Sequence, residues 1–166
     1  MFCQEEGEEK LNQALTIALE NGSHEHAARA YINLAYTFLI IKKYEKAFKT
    51  LDIGIKYCEE RDLDFLTYYM FSSKARLLFE TGGWKEADSL CRQLLSDPHH
   101  VLVKLVILGI LTRLEARYGR FEQAAELIEE GKALAKNTGE LQRIIPLLTA
   151  ELELCWLSAR ALPLKE

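Results

Sequence analysis

With 166 residues, 49% hydrophobic and 28% charged, the chain is long enough to bury a core and too apolar to be disordered. Its formal net charge of −4 excludes a global field that would draw it to nucleic acid or to an anionic membrane. The acidic start lacks a signal segment, the longest apolar run (101–111) is too short to span a membrane, and the four cysteines form no CxxC pair. The expected location is therefore cytoplasmic and the thiols are expected to be reduced core residues.

Apolar residues recur at helical spacing along the chain. In residues 5–20, Leu11, Leu15, Ala18 and Leu19 form one stripe on an acidic helix. Asn21-Gly22-Ser23 stops it. Gly22 suits the left-handed position past a helix end, Ser23 is placed to cap the next helix, and His26 stands where a capping box would put Glu. The second helix is predicted over 24–41 with Ala27, Ala30, Tyr31, Leu34, Ala35 and Phe38 inward, and Lys42-Lys43 makes the turn. The third, 44–60, turns Ala47, Leu51, Gly54, Ile55 and Cys58 inward; Gly54 lowers helix propensity by about 1 kcal/mol, which a close helix contact explains. Arg61 to Asp64 lead into a fourth helix over 65–81, capped by either Asp, with Tyr68, Phe71, Ala75 and Leu78 on its inner face.

Gly82-Gly83 separates this from a fifth helix, 84–95, carrying Ala87, Leu90, Cys91 and Leu94 inward. Ser96-Asp97-Pro98 is a break, because Pro98 fixes its own φ and disfavours helix at Asp97. The sixth helix, 99–118, is almost wholly apolar in its first half and must be covered on more than one side. The seventh, 121–136, places Ala124, Ala125, Leu127, Ile128, Gly131 and Leu134 inward and Glu122, Glu126, Glu129 and Glu130 outward. Asn137-Thr138-Gly139 closes it, and a last helix over 140–161 contains Pro146 and stops before Pro163. Eight helices, short turns and no alternating strand pattern indicate an all-α antiparallel array forming a single domain over 1–166.

Three helix starts share a mark: Tyr44-Glu-Lys-Ala47, Trp84-Lys-Glu-Ala87 and Phe121-Glu-Gln-Ala124, their aromatics 84 − 44 = 40 and 121 − 84 = 37 positions apart. At i, i+3 the ring fills a gap between helices while Ala lets backbones approach, and such periods indicate stacked helical pairs. These residues resemble the tetratricopeptide repeat. Its positions fall on Tyr31, Leu34-Ala35, Phe38, Tyr44, Ala47, Leu51 and Gly54, then on Phe71, Lys74-Ala75, Leu78, Trp84, Ala87, Cys91 and Leu94. A third set is Leu108, Leu111-Thr112, Glu115, Phe121, Ala124, Ile128 and Gly131, with Lys74, Thr112 and Glu115 departing from the pattern. The resemblance implies a right-handed α-solenoid that acts as a scaffold for protein–protein interaction.

The long helices, with the segment from Thr138 to Arg143 leading to Cys155-Trp156-Leu157, are also similar to the helical-repeat region of MalT-like, LuxR-type regulators. That likeness implies sensing of a small inducer or a protein and a part in transcription regulation. No GxxxxGK[ST] phosphate loop or basic recognition helix accompanies it, so those functions would belong to another chain or to further parts of this one. The first helix reads as the second of a pair and the last as the first of a pair. A fragment of, or companion to, a longer array is expected, or a homo-oligomer joined through exposed repeat ends.

In the resembling family the first helices of each pair line a concave groove, which here implies Arg29, Ile32, Tyr36, Leu39, Tyr69, Ser72, Arg76, Phe79, Val106, Gly109, Arg113 and Arg117. Arg76, Arg113 and Arg117 suit a carboxylate or phosphate of a protein or peptide, and Tyr36, Tyr69 and Phe79 offer flat apolar area. Alternatively the arginines pair with acids such as Glu80 and Glu115 and only solvate the face. His24 with His26, and His99 with His100, lack the spacing for two ligands on one helix face, and no nucleophile–base motif occurs. No metal, cofactor or catalytic activity is expected. Asn21-Gly22-Ser23 matches a glycosylation sequon and reads as a helix break.

Overall fold

The structure, a computed structural model, describes residues 2–96, 101–136 and 141–159, apart from the side chains of 2–5, 101–102 and 142–143. It is all-helical, with no strand among the described residues: α1 (Phe2–Glu20), α2 (His24–Ile40), α3 (Tyr44–Glu59), α4 (Asp64–Glu80), α5 (Trp84–Leu95), α6 (Val101–Arg117), α7 (Phe121–Ala135) and α8 (Leu141–Leu157). The break at Pro98, the histidines at 99 and 100, the 137–139 turn and Pro163 lie outside the described residues. No described helix is long and apolar enough to cross a membrane.

One turn recurs. Gly22, Lys42, Asp62, Gly82 and Gly119 all have left-handed backbone, at φ 63, 59, 53, 88 and 76. The first four lie 42 − 22 = 62 − 42 = 82 − 62 = 20 residues apart. The residue after each is the N-cap of the next helix, and in four of the five its N–H reaches back to the carbonyl five residues earlier: Ser23 to Ala18 (2.8 Å), Lys43 to Phe38 (2.8 Å), Leu63 to Cys58 (3.1 Å) and Arg120 to Glu115 (2.9 Å). That bond satisfies a carbonyl otherwise orphaned at the helix end. Five residues beyond each left-handed residue stands a buried small side chain, Ala27, Ala47, Thr67, Ala87 and Ala124. The half-repeat is thus a turn plus a small residue one helical turn into the next helix.

The expected side-chain caps do not form. Ser23 occupies the N-cap of α2 but makes no side-chain cap bond. Neither Asp caps α4: Leu63 is its N-cap, Asp62 has taken the left-handed position, and Asp64 is already helical. The turn's backbone bond serves the carbonyl end of the preceding helix, whereas a carboxylate or hydroxyl cap would accept from the first N–H groups of the next.

The chain falls into two compact units, Met1–Thr81 and Gly82–Glu166. In the first, α1 packs on α2, α2 on α3, α3 on α4, and α2 also on α4. Its core gathers Leu34, Ala35 and Phe38 from α2, Ala47, Leu51, Ile55 and Cys58 from α3, and Leu66, Met70 and Leu77 from α4. Each large side chain fully buried there contributes roughly 1.5–3 kcal/mol. All five residues expected inward on α3 are buried. On α4 only Ala75 of the expected inner face is buried, while Tyr68, Phe71 and Leu78 are half-buried. The helix is instead buried along two sides, by Leu66, Met70 and Leu77 and by Ser72, Ala75 and Phe79, so no single apolar stripe defines its face.

In the second unit, α5 packs on α6, α6 on α7, α7 on α8, and α6 also on α8. Leu105, Leu108, Ala124, Ile128, Leu147, Ala150 and Leu154 form its core. The apolar first half of α6 is covered on several sides, as Leu105, Ile107, Leu108, Ile110 and Leu111 are all buried.

Gly54 marks a close approach. A Cβ there would lie 2.8 Å from the Met70 sulfur and 2.9 Å from Tyr31 Cβ. At Gly131 the corresponding clash, 2.8 Å, is with the movable Cδ2 tip of Leu147. Gly54→Ala is therefore expected to destabilise the protein by about 1–3 kcal/mol despite better helix propensity, and Gly131→Ala by less. Lys42→Gly, which relieves a left-handed non-glycine residue, should stabilise by about 0.5–1 kcal/mol. Urea unfolding of the three variants checks the order.

Candidate functional site

The twelve expected groove residues separate into three groups. Ser72, Phe79 and Gly109 are interior: Ser72 is 1% exposed, Phe79 2%, and Gly109 is buried. Ser72 donates its hydroxyl to the Tyr69 carbonyl at 2.7 Å. These three offer no surface to a partner, because the second buried side of α4 and the all-round cover of α6 absorb them. Val106 is half-buried.

Arg113 and Arg117, one turn apart on α6, converge on one carboxylate of α8. Arg113 Nε donates to one oxygen of Glu153 at 2.6 Å and Arg117 Nε to the other at 2.5 Å. Burial acts to raise the Glu153 carboxyl, but the Arg117 and Arg113 hydrogen bonds outweigh it and hold the group below its ordinary 4.5. The Arg117 guanidinium also lies 5.2 Å from the Trp84 ring, whose edge meets Tyr118 at 6.2 Å. The conspicuous tryptophan is thereby part of the packing between α5 and α6.

Glu115 is likewise occupied, although not by the groove arginines. Only 3% exposed, it accepts from Arg92 Nη2 at 2.5 Å and from Arg120 Nε, while Arg92 is held in turn by Asp88. Where the repeat pattern places an aromatic, this chain has a carboxylate neutralised by α5 and by the link into α7. The other departures are also satisfied: Lys74 reaches Asp52 at 2.6 Å, and the buried Thr112 hydroxyl donates to the Leu108 carbonyl at 2.8 Å. Sequence offers Glu115 as an acid for the groove arginines, but neither its partners Arg92 and Arg120 nor Glu153, which Arg113 and Arg117 share, is singled out there. The signal that marks Glu115 is a carboxylate at an aromatic position of the resembling repeat.

The third group lies on α2 and α4 of the first unit. Residues 29, 32, 36 and 39 follow 3-4-3 spacing beside the buried stripe of α2, and Tyr69 and Arg76 lie two turns apart on α4. Arg29 is exposed, Tyr36 is 55% exposed, and Ile32 and Leu39 pack by one edge against the core. The Arg76 guanidinium carbon sits 5.7 Å from the Tyr36 ring centroid. Such a contact contributes about 0.5–1 kcal/mol at an exposed site and fixes the cation beside the ring. Among the described residues Arg76 has no carboxylate partner. The face therefore combines a positioned, unneutralised cation, an open aromatic ring and apolar edges.

Nothing else among the described residues gathers reactive groups. No three His, Cys, Asp or Glu side chains converge to hold a metal. His24 Nδ1 lies 2.7 Å from the Tyr57 hydroxyl, an interhelical hydrogen bond. Cys58 and Cys91 are buried free thiols, Cys155 is half-buried, and burial pushes the Cys91 thiol up to about 12.

The Glu153 pair gives a pH signature. Its folded carboxyl titrates below the 4.5 of the unfolded chain, so its stabilisation is complete above pH 4.5 and is lost as pH falls through the folded value. Glu153→Gln should lower the melting temperature at pH 7 and flatten its fall in acid, by at most about 1.4 kcal/mol per pH unit for one proton. Parallel acid limbs for wild type and variant in thermal melts would contradict this.

Compared with known proteins, the chain matches no family model, no curated protein and no solved structure.

Proposed function

We propose that this chain is a non-catalytic helical-repeat scaffold of the tetratricopeptide kind, and that the α2/α4 face binds a peptide or protein segment carrying an acidic and an apolar or aromatic side chain. The observation that carries the reading is Arg76, held against the exposed Tyr36 ring and left without an acid. We leave Arg113 and Arg117 out of the binding set because both already hydrogen-bond Glu153. A repeat array is supported by the recurring left-handed turn and by helices that pack on their next-but-one neighbour, α2 on α4 and α6 on α8. Stacked helical pairs produce that pattern, and in a right-handed solenoid of antiparallel helices the first helices of each pair line the concave side.

A second reading, the sensing region of a MalT-like, LuxR-type regulator, draws on helix length. Helices α2, α4 and α6 each have 17 residues, longer than the roughly 14 that a 34-residue pair with two turns leaves for each helix. Such a region would answer to an inducer or a partner, and its parent gene would encode a phosphate loop and a helix-turn-helix.

Selection from a displayed peptide library should return sequences with Asp or Glu near an aromatic or leucine. Arg76→Glu should weaken binding of the best peptide at least about tenfold, since a charge-assisted hydrogen bond contributes roughly 1.5–3 kcal/mol. Lys85→Glu, an exposed change on α5, should leave it unchanged. Equal affinity of wild type and Arg76→Glu in calorimetry would remove the α2/α4 assignment.

A further inference from the structure

Helix α8 carries a second surface, distinct from the α2/α4 face. Its inward side, Leu147, Ala150 and Leu154, belongs to the core of the second unit. On its outer side Leu141, Ile145, Leu148, Leu152 and Trp156 are 70%, 55%, 46%, 51% and 81% exposed. Their spacing of three and four residues aligns them in one stripe along the helix. Together they expose on the order of 600 Å² of apolar surface, at the upper end for the largest patch on a monomer.

Two features select the occupant. First, the stripe carries no free charge among the described side chains: the acids of α8, Glu151 and Glu153, turn away onto Lys132 at 2.8 Å and onto Arg113 and Arg117. A two-fold contact sets each residue against the same surface of its copy, so an uncharged face is what self-docking without repulsion requires. Second, the stripe is nearly symmetric about its midpoint. Leu141 and Trp156 lie equally far from the Leu148–Thr149 bond, and so do Ile145 and Leu152. An antiparallel copy would set Leu141 against Trp156, Ile145 against Leu152, and the two Leu148 side chains near the axis.

We propose that α8 is the interface of a homodimer, closed by an antiparallel α8 pair around Leu148. Two copies would cover roughly 1,200 Å², the lower edge of the range for stable specific interfaces. Self-association should therefore be concentration-dependent, with the mass doubling across about 1–100 µM.

Sedimentation of the whole chain tests this, together with Leu148→Glu and Leu148→Lys. Wild type should dimerise, and each variant alone should sediment as a monomer with wild-type circular dichroism. An equimolar mixture of the two should dimerise again, because opposite charges then meet across the axis. Wild type that stays monomeric throughout overturns the dimer whatever the variants do, and is the outcome expected if the stripe instead receives a helix of another protein. Variants that remain dimeric place the contact elsewhere. A folded mixture that stays monomeric overturns the antiparallel pairing.

Discussion

The chain reverses direction through one backbone conformation used again and again. A residue in the left-handed region lets the next N–H reach back five residues and close the preceding helix, and the following helix begins at once. Glycine adopts this conformation freely, yet Lys42 and Asp62 take it as well. Glycine alone would therefore have missed two of the five turns. What the turns share is geometry, and the small residue five positions on, from Ala27 to Ala124, lets each new helix pack closely after the turn.

With the helices fixed by these turns, the charged residues decide what surface remains for recognition. Glu115 and Glu153 each collect two arginines. Glu8 collects Lys43 and Lys46 across α1 and α3, and Lys74 holds Asp52. The Glu8 and Glu153 pairs fasten helices that are not joined by a single turn, the Glu115 pairs bring a buried acid to neutrality, and Lys74–Asp52 ties α4 to the helix just before it. An arginine whose charge is already shared with an acid gains less from a second carboxylate, a cost in binding strength. Arg76 faces no such cost, and its companion is a ring that a partner's apolar side chain can also cover.

The helices were legible from sequence because turn residues punctuate them: α5 was read to the residue, and α2, α3 and α7 to within one. The inward face of α3 was legible because its small and bulky residues lie on one stripe and its outer side is polar. The face of α4 was not, since burial on two sides removes the contrast that periodicity needs. Ser23, Asp62 and Asp64 do not cap for a different reason: cap preference is local, whereas the left-handed turn sets which residue stands at each N-cap, leaving Ser23 there without a cap bond and Asp62 and Asp64 on either side of Leu63. Glu153 lies 40 and 36 residues from the arginines it holds, and no spacing rule links positions so distant. Of the candidate site, Tyr36 and Arg76 were readable by repeat phase, while the contact between them, and the engagement of the α6 arginines by Glu153, required the packed structure.

The central claim is that partner recognition belongs to the α2/α4 face beside Tyr36. Site-specific photo-crosslinking in cells addresses it directly. A photoreactive phenylalanine in place of Tyr36 should give a discrete adduct that disappears with Arg76→Glu, while the same probe at the exposed Lys85 of α5 should give none. Adducts of equal yield from both positions, or an adduct at position 36 indifferent to Arg76→Glu, would contradict the account.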